Sequence, residues 1–154
     1  MKVSAKSNYA LQMMLYLAKS GNTDFISIRE ISAAIHVNNK YLEQIANQLA
    51  KSGLLRAARG SSGGYRLIRA PKDYSVLDIL EAVEGNPAPL RCLDDPENFC
   101  EYAKGCTTLP FWTEYYDMIR SFLENKSLED ILNHDLHSAG GLLCGYKPLF
   151  PACP

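Results

Sequence analysis

The chain has 154 residues, 47% of them apolar, a net charge of −1 and five cysteines. That describes one domain, or one with an appendage; the apolar content supports a real core, and no run of 18 uncharged apolar residues exists to span a membrane. The opening MKVSAKSNYALQMMLYLAKSG resembles a secretory leader in charge but has no small-residue cleavage site, so a cytoplasmic protein is expected.

The charge is unevenly placed. Residues 1–75 hold 11 Lys/Arg against 4 Asp/Glu, and residues 76–154 hold 5 against 13. A basic half beside an acidic one points to a polyanion-binding surface at one end only.

From about Lys6 to Lys19 apolar residues run almost all round a helical projection, including Met13 and Met14, which predicts a helix buried on most faces. Phe25-Ile26 could form a strand. Ser27 and Glu30 make an S-x-x-E capping box for a second helix, with Ile28, Ile31 and Ile35 on one side and an end near His36. Asn38 caps a third helix, whose Leu42, Ile45, Ala46 and Leu49 form a core-facing stripe. Its opposite face carries Lys40, Gln44, Asn47 and Lys51, with Tyr41 at the edge, and Gly53 ends it. This pattern fits a helix-turn-helix, and also any small helical core with a solvated face.

The next segment favours the first reading. Leu54–Ala58 and Tyr65–Ile68 are predicted strands around the tip Arg59-Gly60-Ser61-Ser62-Gly63-Gly64. A hairpin directly after a recognition-type helix is a wing, here studded with Arg56, Arg59, Arg66 and Arg69. Arginines of this kind are drawn into narrow grooves of strong negative potential. The tip is no phosphate-binding P-loop, because no Gly-Lys-Ser/Thr follows.

Ser75 caps a fourth helix with Val76, Ile79, Leu80 and Val83 as its stripe, ended by Gly85-Asn86-Pro87. A loop of about twenty residues follows and holds Cys92, Cys100 and Cys106. Soft thiolates on one flexible loop indicate metal or thiol chemistry. A long helix from about Leu109 to Asn125 presents Trp112, Tyr115, Tyr116, Ile119, Phe122 and Leu123, part of which is expected at a two-fold interface. Ser127 with Asp130 caps a short last helix through Leu136, and the tail is irregular or disordered. No cysteine has a histidine nearby in sequence, which argues against a nucleophilic enzyme.

Residues 1–136 resemble the IscR/NsrR/CymR-type winged-helix bacterial regulators. The resemblance rests on MKVSAKSNYAL, Tyr41-Leu42-Glu43-Gln44, Gly53-Leu54-Leu55, Arg59-Gly60, Gly63-Gly64-Tyr65 and the three-cysteine loop. It implies a mainly α fold: a winged helix-turn-helix with a small β-wing and a long C-terminal dimerisation helix. Residues 1–75 would bind DNA, 76–136 would connect, carry the cysteines and dimerise, and 137–154 would be the tail. The partners implied are a second copy and double-stranded DNA with a palindrome-like site. Asn39, Lys40, Tyr41, Glu43 and Gln44 would meet bases and phosphates, Arg59 would enter a minor groove, and Ser61 and Arg66 would flank it. Cys92, Cys100 and Cys106 would bind an iron–sulfur cluster, [2Fe–2S] favoured over [4Fe–4S]. Cluster-bearing members place a histidine three residues past the last cysteine, where this chain has Leu109, or an acidic residue early in the first helix, where it has Asn8. The fourth ligand stays open among Glu101, Asp95, His134, His137, Cys144 and an exogenous molecule. The alternative is a cluster-free regulator controlled by a protein partner or by thiol oxidation.

Overall fold

A computed structural model describes residues 3–21, 24–60, 62–94 and 100–133. Ser61, Asp95, His134, His137, Cys144, Cys153, residues 134–136 of the expected last helix and the tail lie outside the described residues. The elements run α1 (Ala5–Lys19), α2 (Ile28–Ile35), α3 (Asn39–Lys51), β1 (Leu55–Ala58), β2 (Gly64–Leu67), α4 (Val76–Glu84), α5 (Leu109–Glu124) and α6 (Leu128–Leu132). Short 3-10 turns at Pro71–Asp73, Arg91–Leu93 and Ala103–Gly105 punctuate the connections. The last two lie in the long loop that carries the cysteines. The architecture is mainly α with a two-stranded antiparallel wing.

Helix α1 is the central beam. The Ser4 hydroxyl accepts from the Ser7 N–H at 3.1 Å, and Ala10, Met13, Met14 and Leu17 are buried against α2, α3, α4, β2 and α6. Ser27 caps α2 by accepting from the Glu30 N–H at 3.2 Å. The expected return bond gives way to a tertiary one: the Glu30 carboxylate accepts from the Tyr16 hydroxyl at 3.3 Å. A reciprocal capping box forms instead on α6, between Ser127 and Asp130. Its hydrogen bonds to the Ser127 N–H and hydroxyl hold the Asp130 carboxyl below the usual range. His36, at φ 55°, takes the left-handed position that closes α2. The Asn38 side chain then accepts from the N–H groups of Lys40 and Tyr41 at 2.9 and 3.4 Å, starting α3 in a new direction.

The stripe of α3 is fully buried: Leu42, Ile45, Ala46 and Leu49 are each 0% exposed. Each large aliphatic here contributes roughly 1.5–3 kcal/mol. Gly53, at φ +71°, ends the helix, and the Leu54 N–H returns to the Leu49 carbonyl at 2.9 Å. In the wing, Leu55 pairs with Leu67, Arg56 with Arg66, Ala57 with Tyr65 and Ala58 with Gly64. The anticipated third strand is reduced to one residue. Ile26 and Tyr65 exchange two backbone bonds at 3.0 and 2.9 Å, while the Phe25 ring lies under the Arg66 guanidinium.

Tyr74 ties the wing to the body. It is fully buried, and its hydroxyl accepts from the N–H groups of Ile68 (2.8 Å) and Arg69 (3.0 Å) while donating to the Leu54 carbonyl at 3.1 Å. Ser75 caps α4, which sends Ile79 and Val83 into the same core. A bridge between Ser75 and Ser127 then pins the junction of α5 and α6 to the start of α4, with Leu128 fully buried beside it.

Helix α5 differs from every other long helix: it buries none of its 16 residues. It lies on α4 through polar contacts. Arg120 bonds Glu81 at 2.9 Å, and the Tyr116 hydroxyl donates to Asn86 at 2.5 Å and accepts from Arg120 at 3.2 Å. Phe111, Met118 and Phe122 are 62, 54 and 47% exposed. No helix among the described residues is long and apolar enough to cross a membrane.

Candidate nucleic-acid interface and cysteine loop

Two features stand apart from the core: the outer face of α3 with the wing, and the loop between α4 and α5. On α3, the buried stripe forces the remaining positions outward. Asn39, Lys40, Tyr41, Glu43 and Gln44 are all exposed. Tyr41 is partly restrained, its ring meeting that of Tyr9 edge-on at 6.2 Å. Arg59 is exposed at the wing tip; Arg66 is half-buried, with its guanidinium 5.0 Å from the centre of the Phe25 ring.

The wing is held at a set distance from α3. The buried Tyr65 donates its hydroxyl to Asn47 at 3.4 Å, crossing from β2 to the helix. Burial, and then the Glu43 carboxylate, push the Tyr65 phenol upward, so it stays a protonated donor at neutral pH. Sequence patterning placed Asn47 on the polar face but carried no sign of this link, because the two residues are 18 apart. Sequence patterning counted Arg56 among the wing arginines without fixing its neighbour. It sits directly opposite Arg66, a pairing that only the hairpin register reveals.

In the loop, Cys92 is half-buried beside the Arg91–Leu93 turn, and Cys100 and Cys106 are exposed; all three are free thiols. Cys106 lies just before α5, where its sulfur contacts the Thr108 hydroxyl at 3.5 Å. That hydroxyl, then the backbone N–H groups of Thr108 and Leu109, lower the Cys106 pKa and favour the thiolate. The donor chemistry, three unpaired sulfurs with one tuned toward thiolate, fits a soft metal centre. Among the described residues, however, no three His, Cys, Asp or Glu side chains come together tightly enough to hold a metal ion.

The Cys106 environment has a direct consequence. Thr108→Val removes the leading cause of the lowered pKa, so the iodoacetamide reaction rate of Cys106 falls at pH 7. Its half-rise moves to higher pH, as read by peptide mapping across a pH series.

The loop is also wired to its surroundings. Asn86 donates to the Asp94 carbonyl at 3.0 Å and accepts from Tyr116, so a hydrogen-bonded chain runs from beside Cys92 to Arg120 and Glu81.

Comparison with known proteins places this architecture in context. The family profile described as "Rrf2: Iron-dependent Transcriptional regulator" matches residues 3–134. The HTH-type transcriptional regulator CymR of Bacillus subtilis is 30% identical over 134 residues, covering 87% of this chain and 91% of its own length. Its solved structure, described as the global cysteine regulator of B. subtilis, superposes with a TM-score of 0.71 over 87% of this chain and 98% of its own, at 30% identity. The HTH-type transcriptional regulator IscR of Enterobacter sp. is 29% identical over 134 residues, covering 87% of this chain and 81% of its own length. The structure of T. potens IscR matches with a TM-score of 0.69 and 28% identity over 92% of this chain and 93% of its own.

Proposed function

The chain belongs to the Rrf2 family of transcriptional regulators, and from that premise we propose a homodimer that reads a palindrome-like DNA site under the control of an iron–sulfur cluster on its cysteine loop. Its relatives are named as transcriptional regulators, which are not enzymes. The observation that carries the regulatory part is the cysteine loop itself: it holds three free thiols, and its Asp94 carbonyl is hydrogen-bonded through Asn86 into the seam between α5 and α4.

Residues 1–75 act as the reader. Asn39, Lys40, Tyr41, Glu43 and Gln44 face the major groove from α3; Asn and Gln suit adenine, Lys suits guanine or phosphate, and Glu43 accepts from cytosine. Arg59 enters the adjoining minor groove, with Ser61 and Arg66 beside it. The exposed aromatic and apolar face of α5 supports pairing with a second copy, since a helix of this composition with no buried residue lacks its partner.

Cys92, Cys100 and Cys106 would hold the cluster, and the family description as iron-dependent supports a role for iron. A bound cluster supplies an oxidisable link between the thiolates. The chain's own part is to carry loop position onward. Cys92 lies two residues before Asp94, Asp94 holds Asn86, Asn86 holds Tyr116, and Tyr116 sets α5 against α4, which packs on α3. Loop rearrangement therefore changes the spacing of the two readers.

The test is anaerobic purification, with absorption, iron and acid-labile sulfide measured alongside DNA binding. The expected result is coloured protein, bleached by Cys92→Ala or Cys106→Ala, with DNA affinity changed when colour is lost. Colourless protein with stoichiometric zinc, or DNA binding indifferent to all three cysteines, overturns cluster control.

A further inference from the structure

We propose that a hollow between the start of α1 and the end of α4 binds a short aliphatic amine by its ammonium group and is coupled through Asn86 to α5. The site uses neither the DNA-reading face nor the cysteine sulfurs, so it can be tested apart from the function above.

Two helix ends meet here. Gly85, at φ +81°, closes α4 by donating its N–H to the Glu81 carbonyl at 2.9 Å, and the chain turns away through Asn86 and Pro87. The Ser4 hydroxyl donates to the Glu84 carboxylate, and the Lys6 ammonium donates to the Val83 carbonyl. These bonds lash the start of α1 to the end of α4. Beside the seam lies a cavity of about 260 Å³. At roughly 30 Å³ for each water-sized group, that is room for about eight non-hydrogen atoms.

The polar part of the lining offers acceptors. Among the described residues that line the cavity, Glu84 alone is charged, and no described cation is within ion-pair distance of it. Ser7 also lines the cavity and is only 3% exposed. Its N–H is bonded to Ser4, but among the described residues its hydroxyl has no hydrogen-bond partner. Buried hydroxyls are nearly always paired, so this one marks where a ligand atom belongs. The Asn86 side-chain oxygen accepts from Tyr116 and keeps a second lone pair. Three acceptors bordering one cavity match the three N–H donors of a primary ammonium. Val3, Leu80 and Pro87, in the same lining, suit its alkyl chain. The Glu84 charge disfavours an anion of the same shape.

Asn86 also carries the consequence. Its side chain donates to the Asp94 carbonyl and accepts from Tyr116, so a ligand that draws on Asn86 loads α5. Trp112, the chain's one tryptophan, lies one turn before Tyr116 on that helix and reports the load.

The probe is 1-aminopentane, with 1-pentanol and pentanoate as its neutral and anionic counterparts. Each is titrated into the full chain at pH 7, followed by NMR chemical shifts and by Trp112 fluorescence. The amine should bind with a Kd on the order of 1 mM, in keeping with so small a ligand. The alcohol should bind about fivefold more weakly, and pentanoate more weakly still. Ser7→Ala and Glu84→Gln should each weaken the amine about fivefold. Ser7→Ala should melt at the wild-type temperature, because its hydroxyl holds no other described group. Tyr116→Phe, outside the cavity, should bind the amine as the wild type does and lose the fluorescence response.

Equal binding of amine and alcohol, or tighter binding of pentanoate, overturns the ammonium assignment. Amine binding unchanged by both Ser7→Ala and Glu84→Gln overturns the site. A fluorescence response retained in Tyr116→Phe overturns the coupling to α5. None of these readouts uses DNA or iron, so a failure here is distinct from a failure of DNA reading or of cluster control.

Discussion

Tyr74→Phe is expected to lower the midpoint of thermal unfolding by about 10 °C, although it removes a single oxygen atom. The hydroxyl accepts two backbone N–H groups, from Ile68 and Arg69, and donates to the Leu54 carbonyl. The ring is fully buried, so the phenylalanine keeps all of the packing and loses all three bonds. The Leu54 carbonyl bond lies in the interior, where an orphaned acceptor costs about 1–3 kcal/mol. The two N–H groups are part-buried; water recovers some of their loss, and about 0.5–1 kcal/mol remains for each. The sum is roughly 3 kcal/mol, which at about 3 °C per kcal/mol gives the stated shift. These bonds join the entry of the wing at Leu54 to its exit at Ile68 and Arg69. The same variant should therefore lose amide-exchange protection at the hairpin before it loses protection at α1. A melting point within 2 °C of the wild type would show that the three backbone groups have other partners.

Gly64→Ala should cost about as much for a steric reason. Gly64 has φ +153°, and a Cβ there would sit 2.1 Å from the Ile26 carbonyl oxygen and 2.4 Å from its carbon. Neither is a movable side-chain end. The wing must separate from residue 26, giving up both bonds between Ile26 and Tyr65. The expected destabilisation is roughly 3 kcal/mol, read as a lower urea midpoint at constant slope. Gly60→Ala is the internal comparison. Gly60 also has a positive φ, +102°, but nothing lies within 4 Å of its would-be Cβ. Only backbone strain of about 1 kcal/mol is introduced there. Equal effects at the two positions would mean that strain, not contact with residue 26, makes glycine necessary at 64.

Local physics was legible in the sequence. Ser27, Asn38, Ser75 and Ser127 all cap the helices their spacing indicated, because a cap needs only a side chain and an N–H two or three residues on. The α3 stripe was readable for the same reason, since periodicity alone decides which side is buried. Features that depend on distant partners were not. Glu30 reaches for Tyr16 rather than closing its own box, the Phe25-Ile26 strand shrinks to one bridge, and Tyr74 spans 20 residues to Leu54. The exposure of the candidate reading residues on α3 follows from the pattern, but the Arg56–Arg66 pairing needed the register. The cysteine loop pointed to metal or thiol chemistry without deciding between them; how the sulfurs are arranged depends on a long connection with no periodicity to interpret.

The way α5 is fastened has a mechanical consequence. Its far end is nailed down by the Ser75–Ser127 bridge and by Leu128, whereas its near end, next to Cys106, rests on no buried side chain at all. Sixteen residues make a rod of about 24 Å. Pivoting on the nailed end, a tilt of only about 5° sweeps the near tip through roughly 2 Å. If the cysteine loop rearranges as proposed, its push would act at this free tip, where the lever arm about the pivot is longest.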